Sequence, residues 1–185
     1  MKIIDTAIAD VKIIVPKVFG DARGYFFESW NRKEYENAGI RCEFIQDNES
    51  RSRFGVLRGL HYQAAPYTQA KLVRVIAGAV LDVAVDIRKD SPTFGRHVAV
   101  ELSAENKHQL FIPRGFAHGF AVLSQEVVFA YKCDNSYMPS HERGIAFDDP
   151  ALGIDWHVQP DQWILSEKDR CNPCFAEAEL LEAEA

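Results

Sequence analysis

The segment Leu81-Asp82-Val83-Ala84-Val85-Asp86-Ile87-Arg88 alternates large apolar residues with small or charged ones. Because successive side chains of a β-strand point to opposite faces, this period of two predicts a strand with residues 81, 83, 85 and 87 on one face. Val98, Val100 and Leu102 repeat the alternation. We therefore expect strands, not helices, to build the core of this chain.

Further extended segments cover residues 71–76, 109–112, 117–123 and 127–132, and turns rich in Gly, Pro, Asn and Ser separate them. Many short strands without intervening helices predict an antiparallel sandwich or barrel. Two short helical pieces flank these strands. Residues 31–39 are expected to form a helix with Asn31 as N-cap and Gly39 as stop. The acidic, Ala- and Leu-rich residues 174–185 are expected to form a terminal helix or tail.

The composition is that of an ordinary folded protein. The chain has 185 residues, of which 47% are apolar and 26% charged, and its formal net charge is −6. We expect a single domain over residues 1–185, with a core from about 3 to 173. The acidic balance argues against a nucleic-acid partner, and no apolar run is long enough for a membrane span. Four irregularly spaced cysteines favour a cytoplasmic location.

Polar residues within the extended segments are the candidates for chemistry. His61 lies in the segment LRGLHYQ at residues 57–63, directly after a glycine-containing stretch with other polar groups. Regular alternation along this segment would place Arg58 and Leu60 on one face and His61 on the other. A histidine suits proton transfer because its ordinary pKa, about 6.5, lies near neutral pH.

A second histidine belongs to a recognisable pattern. Pro113, Gly115 and His118 form a P-x-G-x-x-H motif that resembles the second motif of cupins, small jelly-roll β-barrels with the active site in the lumen. Metal-binding cupins carry His-x-His in their first motif, whereas this chain has HYQ at residues 61–63. A transition-metal site needs three or more converging ligands, so we expect no metal and no other cofactor.

Five segments carry a closer resemblance. They read GYFFE at 24–28, QDN at 46–48, GVLRGLHYQ at 55–63, KLVRV at 71–75 and GFAHGF at 115–120. In this order, the chain resembles the dTDP-4-dehydrorhamnose 3,5-epimerase family from about residue 3 to 173. The resemblance implies an all-β, cupin-type jelly-roll barrel with short flanking helices. It also implies epimerisation at carbons 3 and 5 of a dTDP-4-keto-6-deoxy-hexose, in dTDP-rhamnose biosynthesis.

The resemblance implies catalytic roles for four residues. His61 would be the base that removes a proton beside the ketone, and Asp169 its carboxylate partner. Tyr131 would be the acid that returns a proton on the other face. Lys71 would neutralise the enolate oxygen, with His118 as a further donor. This division suits the chemistry, because a carbon acid beside a ketone needs a base, an oxyanion donor and an acid.

The resemblance also implies a set of substrate-binding residues, which are Arg23, Glu28, Gln46, Asn48, Arg58, His118, Tyr137, Glu142 and Lys168. Arginines suit a pyrophosphate because their donors form a bidentate fork, and Tyr137 is the candidate for stacking on the base. The partner is thus a dTDP-linked keto-sugar. In the family the N-terminal segment crosses to a second subunit, which implies a homodimer in which Arg23 and Glu28 complete the neighbour's site.

Some positions depart from the family pattern. Asp134 and Ser136 interrupt the usual Tyr-Lys-x-Thr-x-Tyr-Tyr at residues 131–137, while Arg114 replaces a commonly acidic residue and Ala70 a glycine. These departures leave open a 3-only or 5-only epimerase of a related pathway. A metal-dependent cupin enzyme and a non-catalytic sugar-binding jelly roll are the alternatives from other classes. No role is assigned to the CxxC at residues 171–174.

Overall fold

The computed structural model describes residues 1–181, and β-strands dominate it. The strands are β1 (Lys2–Asp5), β2 (Lys12–Val15), β3 (Val18–Asp21), β4 (Gly24–Phe27), β5 (Gln46–Arg53), β6 (Leu57–Gln63), β7 (Lys71–Ala77), β8 (Ala79–Asp86), β9 (His97–Ser103), β10 (Gln109–Ile112), β11 (Phe116–Val122), β12 (Glu126–Cys133) and β13 (Glu142–Gly144). The helices are α1 (Arg32–Asn37), α2 (Glu167–Arg170) and the short 3₁₀ turns Pro139–His141 and Pro160–Gln162. Within the described part, every helix is too short or too polar to cross a membrane.

The strands form two antiparallel sheets that pack face to face. One sheet has the order β1-β2-β10-β7-β12-β5 and the other β13-β6-β11-β8-β9, while β3 and β4 form a separate hairpin. Apolar side chains from both sheets meet between them, including Val73, Leu110 and Phe129 from the first and Phe116 and Phe120 from the second. This arrangement confirms the prediction of an all-β jelly roll with short flanking helices.

The alternating residues 81–86 belong to β8, whose two faces are both buried. Its residues 81, 83 and 85 pack behind the five-stranded sheet, and Val80 and Ala84 pack between the sheets. Asp82 and Asp86 share that inner face and are completely buried. The predicted strand and its two faces are confirmed, and the polar face is turned inward. Each of its carboxylates therefore needs a hydrogen-bond partner inside the protein.

The two predicted helical pieces have different outcomes. α1 follows Asn31, whose side chain accepts a hydrogen bond of 3.2 Å from the Glu34 amide, and the chain leaves through Gly39 at φ +84°, as predicted. Residues 174–181 form turns and an isolated bridge from Leu181 to Arg88, without a helix. This part is a tail held by apolar packing of its leucines behind the five-stranded sheet. Residues 182–185 of the predicted tail lie outside the described residues.

β6 departs from the regular alternation predicted for residues 57–63. In the pairing with β11, His61 lies opposite His118 and Arg58 lies opposite Phe120, so three steps along β6 match two along β11. An extra residue in one strand changes which way the following side chains face. Arg58 and His61 consequently line the same cavity, and their predicted placement on opposite faces was wrong.

The irregular pairing brings two backbones very close together at Gly59. This residue has φ +135°, and a Cβ built there would lie 2.5 Å from the Cα of Gly119 on β11. Glycine is required for both reasons, since a side chain would clash with the neighbouring backbone and a positive φ disfavours other residues. The close approach fixes where the His61 end of β6 lies relative to β11.

We expect Gly59→Ala to lower the free energy of unfolding by about 3 kcal/mol or more, because a clash adds to the cost of the backbone conformation. Gly24→Ala is a matched control, since Gly24 has φ +132° with nothing within 4 Å of a built Cβ. For it we expect about 1 to 2 kcal/mol. Urea unfolding followed by circular dichroism measures both variants. Equal losses would contradict the close approach of β6 and β11.

Candidate active site

A cavity of about 630 Å³ opens between the two sheets, and strands β5, β6, β7, β11 and β12 supply much of its wall. It brings together most of the residues predicted for the site. The predicted residues that line it are Gln46, Asn48, Arg58, His61, Lys71, His118, Tyr131, Tyr137, Glu142 and Asp169. These side chains come from separate strands and from α2, so the fold has to be complete before the cavity exists.

His61 and Asp169 form a hydrogen-bonded pair at the cavity wall. The distance from His61 Nε2 to Asp169 Oδ1 is 2.5 Å, and the Asp169 side chain is only 4% exposed. Asp169 lies on α2, which Ser166 caps by accepting a hydrogen bond of 3.1 Å from the Asp169 amide. The Ser166 hydroxyl also donates to Asp169 Oδ2 at 2.8 Å. The residue that starts the helix thus orients the carboxylate that holds His61.

The Asp169 carboxylate is ionised at neutral pH. Burial favours its protonated form, but hydrogen bonds from His61, Ser166 and the Gly59 backbone outweigh burial and hold the pKa of Asp169 below its ordinary value. An ionised partner fixes the orientation of the imidazole and stabilises the imidazolium that forms when the ring takes a proton. The pair therefore has the geometry of a histidine base with its carboxylate.

A second histidine–carboxylate pair joins His118 on β11 to Asp82 on β8, and His118 lies directly opposite His61 on β6. His118 Nε2 is 2.9 Å and 3.1 Å from the two oxygens of Asp82, which is fully buried. Burial lowers the pKa of His118 more than the attraction of Asp82 raises it, and the nearby Lys71 and His61 lower it further. In the neutral ring an Nε2–H group donates to Asp82, which leaves Nδ1 as an acceptor.

Lys71 and Tyr131 face the cavity from neighbouring strands. Lys71 begins β7 opposite Cys133, the last residue of β12, and Tyr131 precedes Cys133 by two residues on the same face. Burial lowers the pKa of Lys71, against the opposing effects of Cys133, Asp82 and Glu142. Burial also raises the pKa of Tyr131, so its hydroxyl keeps its proton at neutral pH. The cavity thus holds a buried lysine amine and a protonated phenol on neighbouring strands.

A hydrogen-bonded group surrounds the exposed Tyr137 at the cavity edge. The Tyr137 hydroxyl donates to Glu142 at 2.6 Å, and Lys168 forms an ion pair with the same carboxylate. Burial disfavours the ionised form of Glu142, but Lys168 and Tyr137 outweigh it and lower the pKa of Glu142. Gln46 accepts a 3.2 Å hydrogen bond from the Tyr137 amide and donates at 2.9 Å to Asn48. These polar groups lie beside Tyr137, where the nucleotide was predicted to bind.

Three predicted residues do not line this cavity within the chain, namely Arg23, Glu28 and Lys168, although Lys168 pairs with Glu142, which does. The Arg23 side chain, between β3 and β4, is 90% exposed and pairs with Asp21 at 2.6 Å. Glu28 follows β4 and accepts a hydrogen bond of 2.9 Å from Asn31. The other predicted arginine, Arg58, does line the cavity. The single chain therefore presents only part of the predicted substrate-binding set in one place.

Sequence reasoning missed three polar residues that support the site. Asp82 holds His118, Ser166 holds Asp169, and Ser52 accepts hydrogen bonds of 3.2 Å and 3.3 Å from Arg58. The only signal for Asp82 was a carboxylate in the middle of an otherwise apolar strand. Within residues 1–181, no three His, Cys, Asp or Glu side chains are placed to share a metal ion.

Comparisons with known proteins show which family the chain belongs to. Residues 5–177 match the family model described as dTDP-4-dehydrorhamnose 3,5-epimerase. This chain belongs to the dTDP-4-dehydrorhamnose 3,5-epimerase family. Family members from Shigella flexneri and Pseudomonas aeruginosa are 57% and 55% identical to it, each over 97% of this chain and 98% of the relative.

A crystal structure of the dTDP-6-deoxy-D-glucose-3,5-epimerase from Legionella pneumophila, in complex with dTDP-4-keto-L-rhamnose, also resembles the chain. It superposes with a TM-score of 0.95 at 53% sequence identity and covers 100% of this chain and 99% of the other. The described residues 1–181 therefore have the epimerase-family fold. The predicted family and the cupin-type jelly roll are both confirmed.

Ser166→Ala tests how the carboxylate of the His61 pair is held. We expect the pKa of Asp169 to rise towards its ordinary value, because one of its hydrogen-bond donors is lost, and the free energy of unfolding to fall by about 1 kcal/mol through the lost cap. Carbon-13 NMR titration of the Asp169 carboxyl group measures the first effect. Ser166→Thr keeps the hydroxyl and should leave the pKa unchanged. An unchanged pKa in the alanine variant would contradict this role for Ser166.

The lowered pKa of Asp169 also determines how the free energy of unfolding depends on pH. Because the folded-state pKa of Asp169 is lowered, its contribution is fully present above the unfolded value of about 4 and is lost as pH falls through the folded value. The stability difference between the parent protein and Ser166→Ala should therefore shrink below about pH 4. The same urea unfolding measurements, repeated at pH 7 and pH 3, provide this check.

Proposed function

We propose that this chain is an epimerase that inverts carbons 3 and 5 of a dTDP-4-keto-6-deoxy-hexose to give dTDP-4-dehydrorhamnose for dTDP-rhamnose biosynthesis. The observation that carries the proposal is one cavity that holds the paired His61 and Asp169 together with Lys71 and Tyr131. Full-length similarity to the family supports the same activity. We place the protein in the cytoplasm, which its four free cysteines support.

The reaction begins with the removal of a proton beside the ketone. His61 is the base, and since Asp169 occupies Nε2, Nδ1 is the nitrogen that takes the proton from carbon. The electron pair of the broken C–H bond moves to the ketone oxygen and forms an enolate. Asp169 stabilises the resulting imidazolium because it remains ionised. Both histidines have a carboxylate partner, so His61 is assigned as the base because its side chain is 28% exposed, against 8% for His118.

The enolate oxygen then needs a positive neighbour. Lys71 provides an ammonium group in a partly buried position, where electrostatic stabilisation is stronger than in water. His118 was predicted as a further donor, but a neutral His118 bound to Asp82 through Nε2 offers only an acceptor at Nδ1. We therefore assign the enolate oxygen to Lys71, and assign His118 to accept a hydrogen bond from a sugar hydroxyl.

Inversion requires that the proton return from the other side of the sugar ring. Tyr131 holds a protonated hydroxyl on β12, whereas His61 lies on β6 of the opposite sheet. A phenol can protonate a reactive enolate carbon, and the phenolate left behind recovers its proton before the next turnover. Base and acid on opposite walls of one cavity account for inversion at each carbon next to the ketone.

The decisive experiment incubates the protein with the dTDP-4-keto-6-deoxy sugar in deuterated water. We expect deuterium at carbons 3 and 5 together with the inverted product, seen by proton NMR. His61→Asn removes the base and should reduce both exchange and inversion to background. Exchange that persists in His61→Asn would refute the base assignment. Exchange at a single carbon in the parent protein would favour a 3-only or 5-only epimerase, and binding without exchange would favour a sugar-binding protein.

Tyr131→Phe is the matched variant for the acid in this experiment. It keeps the ring and the base but removes the donor hydroxyl. Because His61 can still remove a proton and return a deuteron to the same face, we expect exchange without the normal yield of inverted product. Loss of exchange and inversion to the same extent would contradict a separate role for Tyr131 as acid.

We propose further that the protein works as a homodimer in which the β3–β4 hairpin completes the neighbour's cavity. The hairpin presents Phe19, Tyr25 and Phe26 with exposed fractions of 53%, 59% and 67%. Exposed apolar patches of this kind mark interaction surfaces. Arg23 lies on the same hairpin and is free to reach a second cavity, where it would add a cation for the pyrophosphate.

Mixing two inactive variants tests this shared site. In a dimer formed from Arg23→Ala and His61→Asn subunits, one cavity keeps its own His61 and receives an intact Arg23 from the other subunit. Random pairing should therefore restore about a quarter of the normal activity, since half the dimers are mixed and each has one intact site. Co-expression with two affinity tags and an activity assay measures it. No recovery in isolated mixed dimers would contradict the shared site.

A further inference from the structure

Three strand ends meet around Lys71 at one side of the cavity. Lys71 is the first residue of β7, and it pairs with Cys133 at the end of β12 and with Ile112 at the end of β10. The ladder hydrogen bonds stop at these residues. Whatever fixes the chain just beyond them controls the position of the Lys71 backbone.

Asp134 directly follows β12 and contacts the residues next to the other two strand ends, Ala70 before β7 and Arg114 after β10. Its amide donates to the Ala70 carbonyl at 3.2 Å, and its Oδ1 accepts from the Ala70 amide at 2.7 Å. Its Oδ2 accepts from Arg114 Nε at 2.9 Å. Arg114 lies in the turn between β10 and β11. We name Ala70, Arg114 and Asp134 the strand-end clasp.

The clasp extends the ladder by one residue beyond the start of β7. Ala70 is only 1% exposed, so its amide requires a partner inside the protein. The Asp134 carboxylate supplies that partner where no strand does. Because both backbone groups of Ala70 are held by Asp134, the residue that precedes Lys71 has little freedom.

The ion pair with Arg114 holds the carboxylate in this orientation. The Asp134 side chain is 9% exposed, whereas Arg114 is 38% exposed. A nearly buried carboxylate is costly without a cation, and its two oxygens here serve different donors. Arg114 therefore keeps Oδ1 directed at Ala70, and it connects this corner to β11, which carries His118.

A second layer of hydrogen bonds supports the same segment. The Gln69 side chain donates to the Asn135 carbonyl at 2.7 Å, and the Asn135 side chain donates to the Thr68 carbonyl at 3.3 Å. Residues 68–70 and 134–135 are thus joined as one unit next to Lys71. The positions that depart from the family pattern at 70, 114 and 134 are in mutual contact rather than scattered.

We propose that Asp134, held by Arg114, is a positioning residue that fixes Lys71 for its action on the enolate oxygen. The inference rests on the function proposed above for Lys71. Asp134 does not line the cavity, so it acts through the backbone of residues 70 and 71. A displacement of about 1 Å in a catalytic group can cost roughly 100-fold in rate, which is the scale of effect expected.

The test compares Asp134→Ala, Asp134→Asn and Arg114→Gln. Asp134→Ala removes the two side-chain contacts of the clasp and keeps the backbone one, and we expect kcat to fall about 10- to 100-fold while KM stays within about twofold. Asp134→Asn keeps an oxygen for the Ala70 amide and should recover most of kcat. Arg114→Gln should lower kcat by a smaller factor, about three- to tenfold. Glu126→Ala, which breaks the ion pair with Arg51 at the other end of β12, is the control and should keep normal kcat.

A readout that needs no turnover separates positioning from general stability. Carbon-13 NMR of labelled lysine follows the pKa of Lys71, which we expect to rise towards its ordinary value in Asp134→Ala as the ammonium gains water. A lower melting temperature with unchanged kcat and unchanged Lys71 titration would overturn the proposal. If Asp134→Ala does not fold, normal kcat and normal Lys71 titration in Arg114→Gln would overturn it equally.

The two proposals fail in different ways. If the parent protein shows no deuterium exchange, the proposed epimerisation is wrong, while the Lys71 titration still reports whether the clasp holds that side chain. If the parent protein shows normal exchange and the clasp variants do not differ from it in kcat or in Lys71 titration, the clasp proposal alone is wrong.

Discussion

A buried carboxylate costs several kcal/mol unless a donor lies beside it, and this protein buries two of them, Asp82 and Asp169, next to the two histidines that line its cavity. Each is satisfied by one histidine of the directly paired strands β6 and β11. The two pairs then differ in a useful way. His61 keeps some contact with water and His118 almost none, so only the first is well placed to gain and lose a proton during catalysis.

The backbone makes this arrangement possible. Without the extra residue in β6 at Gly59, Arg58 and His61 would point to opposite sides, and the cavity would lose either its arginine or its base. The chain therefore departs from regular strand geometry at a place where a functional group has to be turned inward. The net charge of −6 is no obstacle to an anionic substrate, because Arg58 and Lys71 supply positive charge within the cavity itself.

Hydrophobic alternation and turn residues predicted the fold well. The family resemblance predicted most of the polar residues that line the cavity. Strands such as β8 and β10 follow from alternation and turn residues, which are properties of neighbouring positions. The bulge in β6 and the inward role of Asp82 depend on what lies across the ladder, on β11, and no local pattern contains that information. The alternation also could not reveal that both faces of β8 are covered, since the second cover comes from residues 145–158 and the tail, which lie far along the chain.

Asp169, the partner of His61, lies on α2, which follows every strand of the described chain. His61 and Asp169 are 108 positions apart, and α2 has only four residues and depends on its cap and on docking against β6. While the chain is being synthesised from its N-terminus, the barrel strands therefore emerge well before the group that sets His61 in place. A nascent chain with all of its large strands complete would still lack Asp169, so the histidine–carboxylate pair can form only after α2 has been synthesised.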